Sequence, residues 1–155
     1  MRSMAAAAVS VGLFLLAARS AAQTAEKPNF TGTWTLDTAK SELSSTKADA
    51  VTWEIEQKGP SLKLAETSPD RKDSKFEYSC STTGKECEVT TGKDPLKISM
   101  YYNGATLVQF HRGGAAGDHI SKRQWQLSED KKALLVDVVY ITPDAKPEKL
   151  VFTKH

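Results

Sequence analysis

The chain is poor in the features that would declare a chemistry. Its 155 residues hold only two cysteines and three histidines, too few for a disulfide-dense framework or a four-thiolate metal site. It lacks a charge excess: Lys+Arg number 21 and Asp+Glu 19. Both surplus cations, Arg2 and Arg19, lie in the first 22 residues, so the remaining 133 carry 19 of each sign. A neutral domain has no basic surplus to displace counterions from a phosphate backbone, which excludes nucleic acid as the expected partner. There is no Gly-x-Ser-x-Gly, no His-Glu-x-x-His and no phosphate-loop Lys-Ser/Thr. Past residue 22 no apolar run is long enough to span a membrane. With 39% hydrophobic and 26% charged residues, the chain is nonetheless too apolar to stay disordered.

What is present starts with a leader. Arg2 gives a positive n-region, residues 4–18 are apolar except for Ser10 and Gly12, and Ser20-Ala21-Ala22 are small. This pattern reads as a secretory signal peptide over 1–22, cleaved after Ala22, with the mature domain over 23–155, secreted or periplasmic. A retained membrane anchor is the competing reading, weakened by the shortness of the run. Asn29-Phe30-Thr31 is a glycosylation sequon, meaningful only in a eukaryotic secretory host. Cys80 and Cys87 fit an oxidising compartment. A two-residue turn at Thr83-Gly84 would set them opposite each other across a hairpin, within disulfide reach. Two unpaired thiols are the alternative, and a metal pair would lack a third ligand nearby.

The mature region alternates with a period of two. Strands are expected over 30–36, 51–56, 62–64, 76–80, 87–90, 96–102, 105–112, 120–127, 133–141 and 149–154. Turn residues separate them, and Asn103-Gly104 is the strongest hairpin signal. Only 38–48 has room for a helix, and a short one. Asp70-Arg71-Lys72-Asp73 reads as a solvated turn. No βαβ spacing exists, so the expected fold is all-β: an antiparallel up-and-down meander closing into a barrel of eight to ten strands. A two-sheet sandwich is the other all-β solution.

Phe30-Thr31-Gly32-Thr33-Trp34-Thr35-Leu36 resembles the Gly-x-Trp first strand of the calycin superfamily, which includes lipocalins, fatty-acid-binding proteins and avidins. The resemblance implies a lipocalin-like barrel, with Gly32 letting the first strand bend and Trp34 plugging the floor. It also implies a habit of binding small apolar molecules. The chain departs from the fatty-acid-binding proteins in two places. Residues 38–48 are too short for their helix pair, and Leu150-Val151-Phe152-Thr153 lacks their Arg-x-Tyr. The further tryptophans of the avidin site are also missing.

Strand parity then assigns the interior. Arg123 shares a face with Trp125 and Leu127. A turn centred on Asp130-Lys131 sets Trp125 opposite Val136 and Arg123 opposite Val138. An inward Arg123 would hold a ligand carboxylate, or stack on Trp34 at the closed end as calycin arginines do, whereas a bulge would turn it outward. The Asn103-Gly104 turn sets Ile98 opposite Gln109 and Met100 opposite Leu107, so with Ile98 and Met100 inside Gln109 is inside too, either to donate to a ligand carbonyl or to bond a buried water as a core amide. Val108 and Phe110 argue for the other face of that strand. Trp53, Phe76, Tyr78, Met100 and Tyr102 complete the expected lining, either of a lumen or of a solid core. His111 and His119 bracket Arg112-Gly113-Gly114-Ala115-Ala116-Gly117-Asp118, which could gather two imidazoles and a carboxylate but reads more simply as a surface loop.

The expectation is a binding protein, not an enzyme, holding a small, mostly apolar ligand with no cofactor and no metal. A protease-inhibitor-type interaction protein on the same barrel is the first rival, using residues 23–29 and the 112–119 loop. An enzyme or haem protein using His111 or His119 is the second.

Overall fold

The structure is a computed structural model that describes residues 26–44, 50–69, 76–91 and 94–155. The leader and the 70–73 turn lie outside those residues. Among the described residues ten strands form: β1 Gly32–Leu36, β2 Thr52–Lys58, β3 Ser61–Thr67, β4 Phe76–Ser81, β5 Cys87–Thr91, β6 Asp94–Asn103, β7 Thr106–Gly113, β8 His119–Leu127, β9 Ala133–Thr142 and β10 Ala145–Lys154. They make one antiparallel sheet in the order β4-β3-β2-β1-β10-β9-β8-β7-β6-β5. The meander is sequential except where β1 meets β10, with Trp34 beside Lys154 and Leu36 beside Phe152. That pairing curls the sheet into a nearly closed barrel. Its apolar side chains face one another inside, and alternate residues face water.

Residues expected to have room for a helix lean on the barrel wall instead. Glu42 and Lys149 exchange backbone bonds of 2.8 and 3.0 Å, and Ser41 Oγ accepts from Val151 N. Backbone donors that a helix would turn inward on itself are used by β10, just beyond the point where β1 ends. Among the described residues there is no α-helix; residues 45–49 lie outside them.

Two expected turns need correction. The β6–β7 turn is Gly104-Ala105, not Asn103-Gly104, so Ile98 faces His111 and Met100 faces Gln109. Among the described non-glycine residues only Lys131 has a positive φ, and Gly104 has φ 60°. A turn with one positive φ at its first central position seats Gly104 there and leaves Asn103 in the strand. The shift is two residues, so every side chain keeps its face. By contrast, the β8–β9 register is the expected one, with Trp125 opposite Val136 and Arg123 opposite Val138.

The second correction concerns β4 and β5. They do not form a hairpin: β4 pairs only with β3, and β5 only with β6. Donors of the intervening loop bond outward, Thr82 N to Pro60 O at 2.7 Å and Gly84 N to Met100 O at 2.8 Å. Cys80 and Cys87 are disulfide-bonded all the same, with Cα atoms 5.8 Å apart. The bond therefore crosses the seam of the barrel rather than a hairpin.

Candidate ligand site in the barrel interior

The end of the barrel that carries the Gly104-Ala105 turn is filled by rings. Trp53 stacks on Phe152 with centroids 4.1 Å apart, and on Trp125 at 5.1 Å. Phe30, just before β1, meets Trp125 edge-on at 5.8 Å. These side chains are almost completely buried. Their packing sets a solid floor across which three strands and the N-terminal arm interdigitate. Trp34 joins this floor and donates from Nε1 to Phe30 O at 2.8 Å.

Gly32 and Trp34 meet an unexpected partner. The cation over the Trp34 ring is Lys154, its Nζ 5.2 Å from the centroid. Arg123 does not stack there, contrary to the calycin-based expectation. A Cβ on Gly32 would lie 2.7 Å from Lys154 Cε, so the missing side chain is the space that the lysine stem crosses. Lys154 comes from β10, whose pairing with β1 no local pattern announces.

Toward the mouth, polar side chains converge in an otherwise apolar interior. Gln109 on β7 is fully buried and donates from Nε2 to Tyr78 Oη on β4 at 2.8 Å. Its Oε1 lies 2.8 Å from His111 Nε2, so the imidazole donates and its proton sits on Nε2. Burial pushes the Tyr78 hydroxyl up to about 12, while its bond from Gln109 and the nearby Arg123 charge pull it down. Burial also holds His111 well below its ordinary value, and the Arg123 charge adds to this. His111 is therefore a neutral side chain at physiological pH.

Arg123 on β8 pairs with Gln109 across the ladder and faces inward with it. Its Nε is buried with no hydrogen-bond acceptor among the described residues. Two residues along the same face, Trp125 Nε1 is buried in the same condition. Buried donors without acceptors are uncommon, because each forfeits its hydration. These two, with Tyr78, Gln109 and His111, make a wall rich in hydrogen-bond donors facing the interior.

All of the expected lining residues face inward, but they divide between two tasks. Tyr78, Met100, Gln109 and Arg123 lie along the interior wall, and Phe76 packs 5.5 Å from Tyr78. Trp53 belongs to the ring stack, and its Nε1 donates to Glu66 at 2.8 Å. Tyr102 is at the floor, donating to Pro28 O at 3.2 Å and accepting from Gln57 Nε2 at 2.9 Å. Val108 and Phe110 point outward; Val108 is covered there.

Sequence reasoning weighed His111 only as the flank of a loop, not as an inward residue of its strand, and passed over Glu66. Parity would have found both. His111 is two residues from Gln109, and Glu66 continues the inward series Leu62 and Leu64. His119 is exposed at the mouth, where the 114–118 loop, with Asp94, Pro95 and Leu96, borders a cleft of about 510 Å³. Among the described residues no cluster of three His, Cys, Asp or Glu could hold a metal ion.

No protein-family model and no curated protein matches the chain by sequence. Solved structures do match it. The fatty-acid-binding protein of Manduca sexta superposes with a TM-score of 0.58 at 18% identity, covering 81% of this chain and 99% of that one. Human cRBP IV gives 0.63 at 14% identity, covering 83% and 99%. Secretory abundant heat soluble protein 4 from Ramazzottius varieornatus gives 0.65 at 11% identity, covering 81% and 94%. The likeness is one of fold: a ten-stranded, nearly closed antiparallel barrel shared with these structures.

Proposed function

We propose that this protein binds a small, mostly apolar molecule with an oxygen-bearing head in the barrel interior, without a cofactor, after export to a secreted or periplasmic location. The observation that carries the reading is the pair of buried donors on β8, Arg123 Nε and Trp125 Nε1, beside the Tyr78–Gln109–His111 chain. A ligand oxygen among these donors would restore hydrogen bonds that the fold leaves unmade, while Met100, Phe76 and Leu96 cover its apolar body. The fold neighbour from Manduca sexta, a fatty-acid-binding protein, supports an apolar ligand. We infer binding rather than catalysis because the buried imidazole is neutral and its Nε2 proton is spent on Gln109. The Cys80–Cys87 bond is compatible with the exported location.

The test is a titration of delipidated protein with an environment-sensitive carboxylated alkyl probe. Saturable one-to-one binding that long-chain acids reverse is expected. A folded protein that binds neither this probe nor a neutral-headed one sinks the reading. It would also favour the interaction protein, which the ring stack filling the floor supports. Recovery of exported protein beginning at Gln23 tests the leader.

A further inference from the structure

Every neighbouring pair of strands in the barrel is stitched by a backbone ladder except β4 and β5, the two ends of the sheet. The covalent bond between these two strands is Cys80–Cys87. We propose that this disulfide is a redox latch on a side portal: oxidised, it holds the seam shut; reduced, it lets β4 and β5 part and speeds exchange of the interior ligand. The ligand part rests on the function proposed above; the latch itself does not.

The latch sits where it controls one stretch of wall. Toward the floor, the β4–β5 loop has its own fastenings: Thr82 N and Oγ1 both donate to Pro60 O, and Thr83 bridges to Tyr101. Toward the mouth, no ladder takes over among the described residues. There β4 presents Tyr78 and Phe76 to the interior, and Val89 of β5 packs against the same core. Tyr78 is two residues from Cys80 on the same face and carries the hydroxyl that Gln109 bonds. The unlaced stretch of seam therefore begins beside the polar group. The crosslinked cysteines are only seven positions apart, so the bond constrains the unfolded chain less than a long-range bridge would. Its position on the seam, more than its loop entropy, gives it leverage.

Cys87 is the more exposed residue of the pair, half-buried where Cys80 is 3% exposed. A reducing dithiol attacks through its thiolate at Cys87 Sγ, forming a mixed disulfide and expelling the Cys80 thiolate, which takes up a proton. The second sulfur of the reductant then displaces Cys87 and closes its own disulfide. Two electrons pass from the dithiol to the protein, leaving two protein thiols and an oxidised reductant.

The test compares the folded, oxidised full chain before and after dithiol reduction by amide hydrogen exchange read by mass spectrometry. Exchange in β4 and β5 should quicken by about tenfold or more while β7–β10 keep their rates, and reoxidation should reverse it. Unchanged exchange in β4 and β5 overturns the latch. Uniform loss of protection across all ten strands also overturns it, since the bond is then a staple for the whole fold. Stopped-flow release of the carboxylated alkyl probe reads the portal, and should quicken by about tenfold on reduction. Localised exchange with unchanged release overturns the portal. If the probe does not bind in either redox state, the proposed ligand function fails and the portal fails with it, while the exchange result still decides the latch.

Discussion

The indole of Trp53 on β2 stacks on that of Trp125 on β8, centroids 5.1 Å apart and planes 24° apart, although three strands separate β2 from β8 in the sheet. The contact crosses the interior and ties two walls together. Trp125→Ala should lower the unfolding free energy by about 3–5 kcal/mol, through lost burial and the cavity left behind. Urea denaturation followed by circular dichroism checks this. A loss below about 1 kcal/mol would mean that the walls collapse onto the gap, and that the floor is not a rigid layer.

Arg123 carries the charge among the interior donors. Arg123→Met should weaken the carboxylated probe by about tenfold or more, the scale of a lost charge-assisted hydrogen bond. A neutral-headed probe should bind both proteins alike. Stability should hold or rise, because a half-buried cation no longer has to be kept out of bulk water. Equal affinity of both proteins for the carboxylated probe would remove Arg123 from the site.

Gly32 should not accept a side chain. Its φ is 150° and its missing Cβ is the space crossed by Lys154. Gly32→Ala should cost about 1–3 kcal/mol in a denaturant titration. Lys154→Met, which keeps the stem and removes the ammonium over Trp34, should cost about 1 kcal/mol or less. If Gly32→Ala is neutral, the lysine stem moves aside without penalty.

Two buried groups make stability depend on pH in opposite directions. His111 is held well below 6.5 in the folded protein, so the unfolded chain takes up a proton there first. Stability should therefore fall as the pH drops below about 6.5, and His111→Gln should flatten that limb. Tyr78 is raised from 10.0 to about 12, so the folded state keeps a proton that the unfolded chain has lost. Stability present below about pH 10 should decline as the pH rises toward 12, and Tyr78→Phe should flatten that decline. Denaturation midpoints across pH measure both limbs.

Alternation in stretches such as Val51-Thr52-Trp53-Glu54-Ile55 exposed the strands, because a half-buried strand must repeat every two residues. Parity placed Gln109 and Arg123 inside even where the β6–β7 turn was misassigned, since a two-residue shift leaves faces unchanged. Other features were hidden because they are not local. The partner of Trp34 is Lys154, 120 positions away in sequence. The β4–β5 seam was masked because neighbours in a meander are assumed to pair, and the Cys80–Cys87 spacing suits a hairpin as well as a seam. His111 was obscured by the adjacent glycine-rich loop, which drew attention to it as a possible metal ligand.

The β1–β10 pairing has a practical consequence. Lys154 lies beside Trp34, and His155 N bonds Thr33 O at 3.0 Å, so the described segment begins and finishes on the same side of the molecule. The mouth is on the far side. Tethering the protein to a support through either extremity would therefore present the mouth outward.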